Sequence, residues 1–373
     1  MKRFIIMHPR DSSGCSHYRL RFVANHLNAN VETYQTEVIV SPIRIMDAEI
    51  LQNTRAIICQ RFLTEQDSQI IRDYKALQPK YGFKLIFEID DICFSYNDEY
   101  IPDYNPSSIH LTPEVLKKFD KILAETLPLY DHIVVSTDYL KHCIETKFNV
   151  WNVRTIRNVV PSSLWSTEKK QHIETDIVKP HILYTGSPTH YRTPIPINAD
   201  PTKPLGVVGL TGDFNEAIID FIIDAVQNDK IQFTVMGALP FFFEPIAPKI
   251  QIYNWVDTNN FPSLVRSIKA DFQIAPLCEN NFNRCKSALR FYEACSVGHV
   301  LLGTDFPDSP YNCIYKDCKL NNNMTSTDIE SLVFNMCKKD NYNAALDYQY
   351  NFLLHNHHVL EDDSYVKTYL SMT

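Results

Sequence analysis

ADFQIAPLCENNFNRCKSALRFYEACSVGHVLLGTD, residues Ala270 to Asp305, is the stretch whose reading decides the fold. Asp271 to Pro276 is a short apolar run of the kind that makes a buried strand. Asn280, Asn281, Asn283, Arg284 and Lys286 form a polar, basic loop. Ser287 to Cys295 has helical spacing, with Leu289, Tyr292 and Glu293 on neighbouring turns. Gly298 is placed to stop that helix. His299 to Gly303 is a second apolar strand. Strand, basic loop, helix and strand in that order make a parallel α/β unit, whose loop and helix start carry the ligand chemistry. Unpaired N–H groups and the dipole at a helix start favour an anion, and Arg284 and Lys286 add whole charges there. Such a place suits a diphosphate. Glu293 lies seven residues past Lys286, two turns along the same face, where a carboxylate can accept from a sugar hydroxyl pair.

The bulk numbers set the frame. The chain has 373 residues, 45% hydrophobic and 21% charged, enough for two ordinary domains. No run of 18 apolar residues is present, so no transmembrane segment is expected. The start, MKRFIIMHPRDSS, reads as a first strand, not as a signal peptide. Ten scattered cysteines without CxxC pairs argue against a disulfide framework and a structural zinc site, and for a reducing cytoplasm. Net charge is −8. The first 170 residues are balanced, so the acidic excess falls after them. A general nucleic-acid binder should be basic overall, which this chain is not. A local basic patch remains in Lys2, Arg3, Arg10, Arg19 and Arg21.

Along the chain, Phe4 to His8 is a first strand. The loop PRDSSGCSHYR then leads into a helix over about Tyr18 to Leu27, with Gly14 in the loop and His17, Tyr18 and Arg19 at the helix start. Strands follow at Glu37–Ser41, Ala56–Gln60 and Lys84–Glu88. The last runs into Asp90 and Asp91, where an α/β sheet presents residues to ligands. Side chains alternate along a strand, so only one of these two carboxylates is expected to face a cleft. Later elements alternate in the same way: a strand at His132–Ser136, then a helix over Thr137–Phe148. Ser166–Lys179 is charged and linker-like. HILYTGSPTHYR then opens a second α/β domain with a strand ending at Gly186 and Ser187. Residues 193–210 hold four prolines and cannot be helix or central strand. The aromatic run Phe241 to Phe243 is expected in the core.

The pattern N-x-F-N-x-C-K-S-x-L-R-x-x-E-A-C-x-x-G-x-V-L, after a strand ending in A-P-L, resembles the donor-binding segment of GT-B glycosyltransferases close to family 4. It looks most like a branch common in tailed bacteriophages. The family carries two glutamates eight residues apart. Glu293 matches the second, which holds the nucleotide ribose, whereas Cys285 stands in place of the first. The resemblance implies two Rossmann-like domains facing a cleft and a C-terminal helix crossing back to the first domain. The domains would be an acceptor-side domain over 1–165, a linker over 166–179, a nucleotide-sugar domain over 180–343, and terminal helices over 344–373 that pack back on the first domain.

It further implies transfer of a hexosyl or pentosyl group from a nucleotide diphosphate sugar, a UDP-sugar foremost. The reaction would need no metal or other cofactor and would retain anomeric configuration. Gly14, Gly186, Ser187, Arg192, Trp255, Val256, Asn283, Lys286, Ser287 and Glu293 would bind the donor. His17, Tyr18 and Arg19 would face the acceptor. Lys286 with Asp90 or Asp91 would serve the chemistry, an aspartate becoming the general base if the reaction inverts. Related phage enzymes glycosylate hydroxymethylated bases, so duplex DNA carrying 5-hydroxymethylcytosine is one implied acceptor. A cell-surface glycan, a lipid-linked sugar or a protein side chain is another. The missing first glutamate leaves open a third reading, a module that binds a sugar nucleotide without turnover.

Overall fold

The computed structural model describes residues 3–12, 14–96, 113–165, 169–187, 190–191, 212–355 and 363–373. Two parallel sheets of six strands each organise them. The first holds β1 (Arg3–His8), β2 (Thr36–Val40), β3 (Thr54–Gln60), β4 (Lys84–Ile89), β5 (His132–Val135) and β6 (Val153–Thr155), in the order β2-β1-β3-β4-β5-β6. The second holds β7 (His181–Gly186), β8 (Gln232–Gly237), β9 (Gln251–Tyr253), β10 (Phe272–Ala275), β11 (Val300–Thr304) and β12 (Lys319–Leu320), in the order β12-β11-β10-β7-β8-β9. The central strands are nearly continuous apolar runs because helices cover both faces of a parallel sheet. Ile5 pairs with Val38 on one side and Ala56 on the other, and Ile57 pairs with Leu85. Strand order reverses between β1 and β3 and again between β7 and β10. Crevices at such switch points, outside the carboxyl ends of the strands, are where open α/β sheets take ligands.

The segment that decided the sequence reading folds as strand, helical turn, helix and strand. The polar loop contains a short turn, Asn281–Arg284, capped by Asn280. The main helix covers Leu289–Val297, two residues later than the spacing predicted, because Lys286 to Ala288 stay outside it. Gly298 ends it in the left-handed region, with φ 72°. After β1 the chain enters a widened π turn over His17–Arg21 before the regular helix Phe22–Ala29. The wider turn buries Tyr18, Arg19 and Leu20 in succession, which an ordinary helix start would not do. Of the aromatic run expected in the core, Phe243 is fully buried, whereas Phe241 and Phe242 are only half-buried.

The last helix, Asp363–Leu370, returns to the first domain, where Arg55 Nη2 donates to the Leu370 carbonyl at 3.2 Å. The helix before it does not. Lys339–His355 lies on the second sheet: Gln349 accepts from the Leu301 N–H at 2.8 Å and donates to the His299 carbonyl at 3.0 Å. Residues 344–355 thus belong with the second domain. The expected linker is strapped to the same region by Ile177 N–H to the Cys337 carbonyl (2.9 Å) and Lys170 Nζ to Tyr342 Oη (3.1 Å). None of the ten cysteines forms a disulfide. Among the described residues no helix is long and apolar enough to cross a membrane.

Candidate active site

A cavity of about 590 Å³ lies between the carboxyl ends of the two sheets. The two switch points face it, one from each domain. Residues that sequence separates by more than two hundred positions share its wall.

On the first-domain side, Asp90 and Asp91 both line the cavity. The expectation that one would turn away fails because β4 ends at Ile89 and the chain bends there, so strand alternation no longer applies. Both carboxylates are held by Arg61. Its Nη2 lies 2.5 Å from Asp90 Oδ1 and 3.1 Å from Asp91 Oδ2, and it also reaches Cys15 Sγ at 3.2 Å. Arg61 adopts a φ of 49°, uncommon outside glycine. Donor atoms of Cys15, Asp90 and Asp91 lie within 4.8 Å of one another, a grouping compact enough for a cation. The cation they hold is the guanidinium. Burial alone would raise the Asp90 carboxyl; Arg61, with Arg19 further off, outweighs it and keeps the group below the usual carboxylate range.

On the second-domain side, Glu293 is 4% exposed. Its Oε1 accepts from Tyr18 Oη at 2.7 Å and its Oε2 from Arg290 Nη1 at 3.0 Å. Tyr18 Oη in turn accepts from the indole N–H of Trp165 at 3.0 Å. Burial pushes the Glu293 carboxyl up, against the pull of Arg290 and Tyr18. Lys286 stands at the cavity wall with its ammonium 4.5 Å from the centre of the Phe282 ring. Among the described residues no carboxylate forms a salt bridge with it. His190 also lines the cavity, with Nδ1 2.8 Å from Asp213 Oδ2. Trp255, half exposed, and Val256 close the end beyond β9.

No protein-family model matches this sequence, and no curated protein matches it. Solved structures do. A glycosyltransferase from Rickettsia africae superposes with a TM-score of 0.60 at 11% identity, over 100% of this chain and 97% of that one. TarM superposes with a TM-score of 0.53 at 13% identity, over 86% of this chain and 55% of that one. Both superpositions cover most of this chain.

The fold is GT-B.

Within that GT-B frame, Gly14, His17, Tyr18, Asp90, Asp91, Ser187, Trp255, Val256, Lys286, Ser287 and Glu293 all line the cavity, from its two sides. Three expected site residues stand elsewhere. Arg19 is buried in an ion pair, with Nε 2.6 Å from Glu88 Oε1 and Nη1 3.0 Å from Asn158 Oδ1. It is absent from the cavity lining because the π turn carries it into the interior. Asn283 is fully buried and donates to Asp213 (2.6 Å) and the Cys278 carbonyl (2.8 Å), so it shapes the loop from within. Gly186 ends β7 behind the wall, where a Cβ would run into the Tyr184 ring. Arg192 and the proline-rich segment 193–210 lie outside the described residues.

Sequence reasoning missed Arg61, His190 with Asp213, and Arg290. Arg290 had a legible signal, since Arg-x-x-Glu puts the two groups on one helical face. Arg61 stands at the carboxyl end of a strand, the signal that pointed to Asp90 and Asp91, but its carboxylate partners come from the neighbouring strand; Asp213 had no signal. Asn158 also escaped notice. It links Arg19 to the donor-side loop by donating to Ser287 Oγ at 2.7 Å.

Proposed function

We propose that this chain transfers a sugar from a nucleotide diphosphate sugar to a hydroxyl acceptor, with retention of anomeric configuration. The observation that carries the reading is the company these groups keep: one cavity is lined by Lys286, Arg290 and His190, by the buried carboxylate of Glu293 and by the half-exposed ring of Trp255, the groups that a phosphate, a ribose and a base require. A uridine base would lie along Trp255 and Val256, and the ribose hydroxyls would donate to Glu293. The diphosphate would meet Lys286 and the Ser287 hydroxyl. In the reaction the anomeric C–O bond breaks and its electron pair goes to the departing phosphate oxygen. The acceptor oxygen bonds to the anomeric carbon, and its proton passes to that same phosphate oxygen. Positive groups placed where charge develops supply the stabilisation, so the site's own cations suffice for the leaving group.

Retention is favoured over inversion by Arg61. A general base must be free to take a proton, whereas Asp90 and Asp91 are both tied to the guanidinium. Their role in this reading is to fix Arg61 and to accept from donor-sugar or acceptor hydroxyls.

The acceptor is a hydroxyl-bearing group entering from the first domain. The resemblance names 5-hydroxymethylcytosine in duplex DNA. Of the basic residues that would meet a DNA backbone, Arg10 pairs with Asp67 and Arg19 with Glu88, which withdraws two charges from that surface. The deciding experiment incubates the protein with a panel of nucleotide sugars and either plain or 5-hydroxymethylcytosine duplex DNA, then weighs the digested nucleosides. A pentose or hexose mass on the modified base alone establishes a DNA acceptor. Release of nucleotide diphosphate without added mass moves the acceptor to glycan, lipid or protein. No release from any donor overturns transfer and leaves a sugar-nucleotide-binding module.

A further inference from the structure

His190 sits at the phosphate end of the cavity with no counterpart in the resemblance described above. Its Nδ1 lies 2.8 Å from Asp213 Oδ2, and Asp213 is 2% exposed. The other oxygen of Asp213 accepts from the Cys278 N–H at 3.1 Å and from Asn283 Nδ2 at 2.6 Å. A carboxylate so surrounded by donors stays ionised, and its neighbours hold it below the usual range against the pull of burial. An ionised Asp213 requires the hydrogen on Nδ1 of His190. That fixes the tautomer and leaves Nε2 as the working atom of a ring on the cavity wall. The same arrangement, a buried carboxylate orienting an imidazole, is how a histidine is prepared to hold or release a proton at one chosen atom.

We propose that His190, oriented by Asp213, is a ligand of the departing phosphate: it takes up one proton when a nucleoside diphosphate enters and donates Nε2–H to it. This rests on reading the cavity as a nucleotide-diphosphate site. The charged groups facing His190 among the described residues are Asp213, Lys286 and Arg290. Burial lowers the imidazole's proton affinity, Asp213 raises it, and Lys286 and Arg290 lower it again, with a net shift downwards. The ring is therefore neutral at pH 7.5. A diphosphate brings negative charge among two cations and this ring, which reverses the balance and favours the imidazolium. Proton uptake then adds a second mobile positive charge beside Lys286, at the stage when charge builds on the leaving group.

Calorimetry of UDP and of uridine, each at pH 7.5 in two buffers of different ionisation heat, tests this on the whole chain and on His190→Gln. UDP is mostly ionised at that pH and binding among cations can only draw its last proton off, so net uptake reports the protein. The expected result is close to one proton taken up with UDP and none with uridine. His190→Gln should bind uridine unchanged, bind UDP with no uptake, and lose the advantage that the unaltered chain gains as pH falls, up to about tenfold per pH unit. No uptake by the unaltered chain overturns the inference without recourse to any variant. It is equally overturned if His190→Gln keeps the uptake, or loses UDP and uridine in equal measure as a structural residue would. Failure of the unaltered chain to bind either UDP or uridine overturns the underlying donor-site reading, and the inference with it.

Discussion

The phenol oxygen of Tyr18, in the first domain, lies 2.7 Å from Oε1 of Glu293 in the second. The residue expected to face the acceptor and the residue expected to hold the donor ribose are thus bonded to each other. A ribose diol entering this site as proposed would compete with the phenol for one carboxylate oxygen. Tyr18→Phe removes that competitor, but it also leaves the Trp165 indole N–H without its acceptor. The variant should be less stable by about 1–3 kcal/mol in urea titration. Its stabilisation by UDP, read as a shift in melting temperature, should equal or exceed that of the unaltered chain.

Glu293→Ala should act in the opposite sense. It removes the ribose acceptor and leaves the half-buried Arg290 without its carboxylate partner. Affinity for UDP should fall by about 10- to 100-fold, in keeping with lost hydrogen bonds to a charged group. Affinity for inorganic pyrophosphate, which has no ribose, should change little. Calorimetry with both ligands separates these outcomes.

Lys286→Ala should lower turnover more than donor affinity, since the ammonium gains most as charge develops on the leaving phosphate. A loss of about 10²–10³ in kcat is expected from removal of one such group, with KM for the nucleotide sugar changing less. Release of nucleotide diphosphate, followed over time at saturating donor, measures it.

Arg61→Gln should be among the most damaging single changes in the first domain. It strips the counter-charge from Asp90 and Asp91 together, and breaking such a pair costs about 3–5 kcal/mol when the remaining charge is buried. Adding Asp90→Asn in the same chain should recover part of the stability, because one of the stranded charges is then gone. Denaturant midpoints of the single and double variants give the coupling.

His299 is 2% exposed, and burial pushes its imidazole down to about 3. The unfolded chain takes this proton near pH 6.5. Between those values the unfolded state binds more protons, so stability is full above pH 6.5 and falls with acidification by about 1.4 kcal/mol per pH unit for this group. Urea titrations at pH 7.0, 5.5 and 4.5 should show this slope, and His299→Gln should flatten it. His181 and His8, also lowered by burial, leave a residual slope in the variant.

The parallel α/β character was legible because buried strands announce themselves as apolar runs: Asp271 to Pro276 and His299 to Gly303 correspond to β10 and β11. Lys286, Ser287 and Glu293 were legible as a site because their relations are local, within two helical turns. Arg19 misled for a local reason, since a π turn looks like any helix start in sequence but faces its third residue inward. Asp90 and Asp91 misled because the strand stops one residue short of them. Arg61 was legible only as a residue at the end of a strand, and Asp213 not at all, because each meets its partners only through residues brought in by another strand or loop. The pairing of Tyr18 with Glu293 spans the whole chain, and no periodicity encodes it.

The loop bearing Lys286 is fastened to the opposite domain on both sides of that lysine. Thr137 Oγ1 donates to the Cys285 carbonyl at 2.9 Å, and Asn158 Nδ2 donates to Ser287 Oγ at 2.7 Å. Lys286 is therefore suspended between two moorings that belong to the other half of the molecule. Any hinge motion that parts the halves pulls on both and carries the ammonium out of alignment. A donor held by a gaping molecule would find water abundant and the leaving-group cation out of place. If the chain transfers sugar as proposed, these two bonds would tie the position of the leaving-group cation to the closed arrangement of the two domains.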